Sequence, residues 1–149
     1  MPDEYQLESL SAYHFILAGN AIFTLVFLDT DTRYTYRVRK AYAREDELPR
    51  WFVSLLTGSD NESSYTYIGM IFSNEAGKTY FSLTRKSHLP FTSPPVVGFN
   101  RVLRRLNNDE GLMDVEFWHA GMCGRCGRTL TVPESIATGL GPECRRAES

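Results

Sequence analysis

No apolar run in this chain reaches the roughly 18–20 residues that would span a bilayer. Residues 13–28 come nearest, and Asn20 interrupts them. Lysine and arginine are missing altogether from residues 1–32, where Asp3, Glu4, Glu8, Asp29 and Asp31 fall. An acidic start has the wrong sign for a secretory signal. The expectation is a protein without membrane contact, acting in the cytoplasm. Acids are in turn missing from residues 76–108, which hold Lys78, Arg85, Lys86, Arg101, Arg104 and Arg105. A net charge of −2 therefore conceals a polar molecule with one basic region. Cysteine is scarce and odd in number, with three residues, all in the final quarter. A disulfide framework would leave one of them over, and in a reducing compartment the clustering points to a metal. Internal repeats and low-complexity segments are absent.

The elements of a catalytic site are missing as well. Gly77-Lys78-Thr79 lacks the glycine spacing of a phosphate-binding loop. Ser135 has no histidine partner that the sequence places beside it. Asp29 and Asp31 read as hairpin-turn residues and not as paired carboxylates. The expectation is a protein that is not an enzyme and takes no small-molecule substrate.

What is present reads first as antiparallel sheet. Residues 21–28 (AIFTLVFL) are rich in β-branched and aromatic side chains, and residues 29–32 (DTDT) form a turn cluster. Residues 33–40 (RYTYRVRK) alternate, with Tyr34, Tyr36 and Val38 on one face and Arg33, Thr35, Arg37 and Arg39 on the other. The pair predicts a hairpin. Residues 51–56 (WFVSLL) fit either a short helix or a strand, and residues 58–64 (GSDNESS) a loop. Residues 65–72 and 79–83 predict a second hairpin, turned at Asn74 and Gly77. Beyond Pro90, Pro94 and Pro95 the period changes: Phe99, Val102, Leu103 and Leu106 recur at helical spacing within residues 96–107. Residues 113–118 (MDVEFW) are a short strand leading to the cysteines. The expected class is α+β: antiparallel β-hairpins plus one amphipathic helix, with an α+β domain over 1–112 and a zinc-binding module over 113–149 packed on it.

The module carries the sharpest signal. Cys123 and Cys126 are two residues apart, so one tight turn presents both to a single ion. Gly124 and Gly127 are expected to relieve that turn by accepting positive φ. Backbone N–H groups there are expected to point at the sulfurs. Cys144, after a Gly-Leu-Gly-Pro turn that opens a final helical turn, is the third ligand. Structural Zn2+ takes four ligands. His119 is the expected fourth, with water or Glu143 as the alternative. Thr131-Val-Pro-Glu134 fits a capping box with Pro133 in the first turn of a short helix. A redox Cys-x-x-Cys would instead sit where a strand feeds a helix.

The run CGRCGRTLTVPESIATGLGPEC resembles the C-terminal module of many small phage and prophage proteins of unknown function. The likeness lies in the Cys-Gly-x-Cys-Gly-Arg knuckle at 123–128, the Leu-Thr-x-Pro-x-Ser segment at 130–135 and the Gly-x-Gly-Pro-x-Cys ending at 139–144. It covers about the last thirty residues. The resemblance implies a treble-clef-like zinc knuckle in a phage-encoded protein of the bacterial cytoplasm, and implies no activity.

Two binding functions from different classes follow. Arginines at alternate positions of a strand recur at about 6.5–7 Å on one face, close to the phosphate repeat of an extended single strand. Tyr34, Tyr36, Tyr42, Tyr65 and Tyr67 are candidates for stacking on bases. Arg33, Arg37, Arg39, Arg85, Lys86, Arg101, Arg104 and Arg105 are the candidate nucleic-acid contacts. The rival is a protein-binding inhibitor of a host factor, such as a CRISPR effector or another anti-phage defence component, an anti-CRISPR or anti-defence role that rests on the phage resemblance.

Overall fold

Alternation along the strands decides this architecture. In a computed structural model describing residues 3–59 and 64–148, the chain begins with a 3-10 turn at Asp3–Tyr5. It continues as β1 (Gln6–Leu7), α1 (Ser9–Ile16), β2 (Asn20–Phe27), β3 (Thr32–Lys40) and β4 (Arg50–Leu56). There follow β5 (Tyr65–Ser73), β6 (Thr79–Ser82), α2 (Pro94–Asn107), β7 (Val115–His119), α3 (Pro133–Thr138) and α4 (Pro142–Glu148). Among the described residues the strands make one antiparallel sheet in the order β1-β7-β2-β3-β4-β5-β6. The fold is thus mostly antiparallel sheet with a few short helices. No helix of the described residues is long and apolar enough to cross a membrane.

Both expected hairpins form, β2 with β3 and β5 with β6. Asp31, at φ 52°, turns the first. Asn74 turns the second, its side-chain oxygen accepting the N–H groups of Ala76 and Lys78 at 3.0 Å each. The ambiguous segment is a strand: Trp51, Val53 and Leu55 are buried, and Phe52 faces the other way, 45 % exposed. The predicted loop at 58–64 lies largely outside the described residues.

The apolar faces of these strands look one way. Phe23, Tyr36, Phe81 and Phe117 form a buried aromatic layer, and two helices close it. Phe15 of α1 meets Phe23 and Phe117 edge-on, with centroids 6.4 and 5.9 Å away. Phe99 of α2 lies 5.2 Å from Tyr36 and 5.3 Å from Phe81. The predicted stripe of Phe99, Val102, Leu103 and Leu106 is the buried side of α2. Its N-terminus is pinned by Tyr36, whose hydroxyl donates to the Pro95 carbonyl at 2.7 Å.

Two expectations change. The single amphipathic helix has company: α1 precedes the first hairpin, with Ala12, Phe15 and Ile16 buried at helical spacing. And β7, read as the start of a separate module, is an interior strand between β1 and β2. The expected boundary at 112/113 therefore falls just before a strand of the main sheet.

Helix α2 approaches the sheet closely at Gly98, where an added Cβ would lie 2.5 Å from the buried Phe27 ring. Gly to Ala inside a helix ordinarily gains up to about 1 kcal/mol from propensity. Here the clash opposes it, since overpacking a core costs about 1–3 kcal/mol. Gly98→Ala should therefore lower stability in urea unfolding; a more stable variant would contradict this packing.

Candidate metal centre and the open sheet face

The segment after β7 folds back on itself at once. A bridge pairs Met122 with Thr129, and between them the Cys123 N–H donates to the Arg128 carbonyl at 2.8 Å. The Gly127 N–H returns to the Cys123 carbonyl at 2.9 Å, with Gly127 at φ 79°, where a side chain would be strained. Gly124 has a different reason for being glycine. It does not have positive φ; an added Cβ there would sit 2.6 Å from the Phe15 ring. Helix α3 begins at Pro133 as expected, but its N-cap is Val132, and the Thr131 capping box does not form. Its end at Gly139 (φ 75°) turns the chain towards α4, and Cys144 stands in the first turn of α4.

This path brings three thiols together. The sulfurs of Cys123, Cys126 and Cys144 all lie within 4.8 Å of one another, and none is in a disulfide. A tetrahedral zinc with sulfur at about 2.3 Å separates its sulfurs by roughly 3.8 Å, so about 1 Å of contraction would close the group on an ion. Cys123 is buried and accepts the N–H groups of Arg125 at 3.4 Å and Gly141 at 3.3 Å on its sulfur. Burial alone would raise its pKa. Hydrogen bonds from the Cys126, Gly141 and Arg125 backbone outweigh that and hold the thiol at about 7. Cys144 is pushed up to about 12, by burial first and then by hydrogen bonding and charge at Cys123 and Cys126. One thiolate forms readily and the last is opposed by its neighbours, a conflict that a cation among them resolves. The donor set fits a soft or borderline metal.

His119 does not join them. The metal-competent group comprises the three cysteines alone among the described residues. Both imidazole nitrogens are used elsewhere: the Gly121 N–H donates to Nδ1 at 2.9 Å, so Nε2 carries the proton and donates to the Ile136 carbonyl at 2.7 Å. The ring is 1 % exposed, between Tyr5 and Phe15. Alternation along β7 sends it to the same face as Phe117. It staples the knuckle entrance to α3. Glu143, the other candidate, lines the hollow beside the cysteines but its carboxylate is outside the group.

The opposite face of the sheet carries no helix among the described residues. Arg33 and Arg39 are exposed on it, with Arg37 between them in register terms and 4.3 Å above the Tyr65 ring. Burial and the neighbouring Arg39 both lower the Arg37 pKa, against Tyr65. Phe52 lies opposite Arg39 on the adjacent strand and packs edge-on against Tyr67 at 6.2 Å. With Met70, Thr84, Arg85 and Lys86 these two rings line a hollow of about 420 Å³.

The other predicted contacts are divided from this face. Arg101, Arg104 and Arg105 belong to α2, across the sheet. Arg101 sits over the Phe27 ring at 5.4 Å, and Arg105 bonds Asp114 at 2.9 Å, which holds that carboxyl below its ordinary range. The eight basic residues are not one surface. Tyr36 is fully buried and Tyr34 packs on Phe27, so neither offers a ring for stacking. Phe52 does, and the continuous apolar run at 51–53 hid it in the sequence.

Comparison with known families matches residues 117–149 to a family of unknown function, DUF6011. The match begins inside β7 and takes in the knuckle, all three cysteines, α3 and α4. No curated protein and no solved structure matches the chain.

Cys123→Ser or Cys144→Ser should abolish stoichiometric metal in the purified protein, read by elemental analysis. His119→Ala should keep the metal and lose about 2–3 kcal/mol of stability, because buried backbone groups lose their partners. Burial lowers the folded-state pKa of His119 from 6.5, against the Ile136 hydrogen bond. Its contribution is therefore complete above pH 6.5 and declines as pH falls through the lowered folded value. The stability gap between wild type and His119→Ala should narrow in that window. A gap that widens with acid, or loss of metal from His119→Ala, would return the imidazole to the ion.

Proposed function

We propose that this chain is a non-enzymatic, zinc-bearing binding protein that holds single-stranded nucleic acid on its helix-free sheet face. The observation that carries the reading is the juxtaposition, on one open face, of exposed Arg33 and Arg39 with the half-exposed ring of Phe52 and the Arg85–Lys86 pair beside it. Backbone-tracking cations alternating with rings are what sequence-tolerant single-strand binding requires.

Zinc is the ion of this reading. A thiolate set on a tight turn plus a helix start suits a tetrahedral d10 cation, and the bridge at Met122 and Thr129 followed by α4 supports a treble-clef-like reading of the module. Its role is structural. The resemblance to phage and prophage proteins supplies the setting, an accessory protein in the bacterial cytoplasm.

Fluorescence anisotropy of a labelled oligonucleotide at two ionic strengths tests the binding. Affinity should fall with salt at a log–log slope of about 0.7 per phosphate contact. Arg39→Glu should weaken binding and reduce that slope. Phe52→Ala should cost about 1–3 kcal/mol of affinity with the slope unchanged. Glutamate at Arg104, across the sheet, should change little. Absence of binding at low salt, where exposed charge acts most strongly, would remove this function; nuclease-resistant enrichment of a host protein would then favour the inhibitor.

A further inference from the structure

Three cysteines leave a zinc ion one ligand short, and neither His119 nor Glu143 belongs to the group. A second observation sits in the same hollow. Ser135, in the first turn of α3, is 1 % exposed, and its Oγ is buried without any hydrogen-bond partner. A buried unsatisfied hydroxyl costs about 1–3 kcal/mol. Ser135 lines the hollow of about 470 Å³ that Cys123, Cys126 and Cys144 also line. The cysteines with their donor deficit and the residue with the orphaned hydroxyl thus line one hollow.

We infer that the fourth zinc ligand is a water molecule and that Ser135 Oγ accepts a hydrogen bond from it. The inference rests on the zinc reading above. Water on zinc has its lone pair committed to the metal and both hydrogens to give, so it needs an acceptor. The Ser135 hydroxyl provides one. No sulfur is hydrogen-bonded to Oγ, so the hydroxyl is not already committed to a thiol. Ser135 is accordingly a positioning residue: it fixes the ligand that fixes the ion, as hydrogen-bond partners of metal ligands generally do. The same geometry explains why a serine is tolerated at a buried position of α3, where alanine would have the better helix propensity.

X-ray absorption at the zinc edge on the full chain reads the first part. Three sulfurs near 2.3 Å and one oxygen near 2.0 Å are expected. Four sulfurs, or the scattering pattern of a bound imidazole, would overturn the inference while leaving zinc in place; wild type without stoichiometric metal would instead remove the zinc reading itself. Ser135→Ala reads the second part. It should keep the three sulfurs yet give up zinc to a competing chelator about 10–100-fold more readily, and Ser135→Thr should restore retention. In the metal-free state Ser135→Ala should be at least as stable as wild type, because its unsatisfied hydroxyl is gone. Chelator release within twofold of wild type from folded Ser135→Ala would overturn the role of Ser135, as would failure of threonine to rescue.

Discussion

The ring of Phe15 is the contact on which the rest of this molecule turns. It is fully buried between the sheet, where it meets Phe23, Phe117 and, at 5.7 Å, His119, and the cysteine segment. Two glycines of that segment come so close that a Cβ at either would overlap the ring: 2.6 Å at Gly124 and 2.5 Å at Gly139. They are also bonded to each other, the Gly124 N–H donating to the Gly139 carbonyl at 2.8 Å. Packing at this density leaves no room for adjustment. The knuckle is therefore shaped by an aromatic ring from the other end of the chain as much as by any ion. Its glycine-rich motif records a close approach at Gly124 and a true backbone requirement at Gly127.

That contact also assigns the two faces of the sheet. Because α1, α2 and the cysteine segment all gather around the Phe15–Phe23–Phe99 layer, the apolar side is fully occupied. The other side keeps what alternation placed there: arginines on β3, Phe52 on β4, Tyr65 and Tyr67 on β5. A sheet with one dry and one solvated face is the ordinary antiparallel outcome. An aromatic ring at 45 % exposure beside cations is what makes the solvated face a binding candidate and not merely a surface.

Much of this was legible in the sequence, and for local reasons. Strands β2, β3, β5 and β6 announced themselves by alternation and turn chemistry, and α2 by its stripe, because each needs only its own residues to define its period. The cysteines were legible because metal geometry constrains spacing directly. Helix α1 was hidden in a long apolar stretch whose helical spacing at Ala12, Phe15 and Ile16 was diluted by Leu10 and Tyr13. Strand β4 was ambiguous because Phe52 puts an apolar residue on its solvated face. That His119, the expected fourth ligand, stands apart from the cysteines has a different cause. Proximity to Cys123 made His119 a candidate, but it stands on a strand, and period two turned it towards Tyr5 and Phe15. The grouping of arginines failed likewise: acid-free sequence is not a surface until topology says which side of the sheet each residue occupies.

The same topology bounds what an ion can do here. Strand β7 is hydrogen-bonded on both sides, through Gln6 and Leu7 to β1 and along its whole length to β2. Its position is set by the sheet before the knuckle begins. The Asn20 N–H, at the start of β2, also donates to the Gly124 carbonyl at 2.6 Å, so the first half of the knuckle is held by backbone. What an ion would add is closure of the loop from Cys123 to Cys144, a constraint of about 3 kcal/mol on a chain-entropy account. Its stabilisation is local to the chain's end. The arginine face, one layer away and held by its own ladders through β3, β4 and β5, draws its shape from Tyr36, Val38, Val53 and Ile71 beneath it. The cysteine cluster and the open face are thus two features of one sheet, joined through β7 and through Asn20, which bonds the Gly124 carbonyl and pairs with Arg39. Loss of the knuckle would reach the open face by loosening Phe15 and the Asn20 contact beside Arg39.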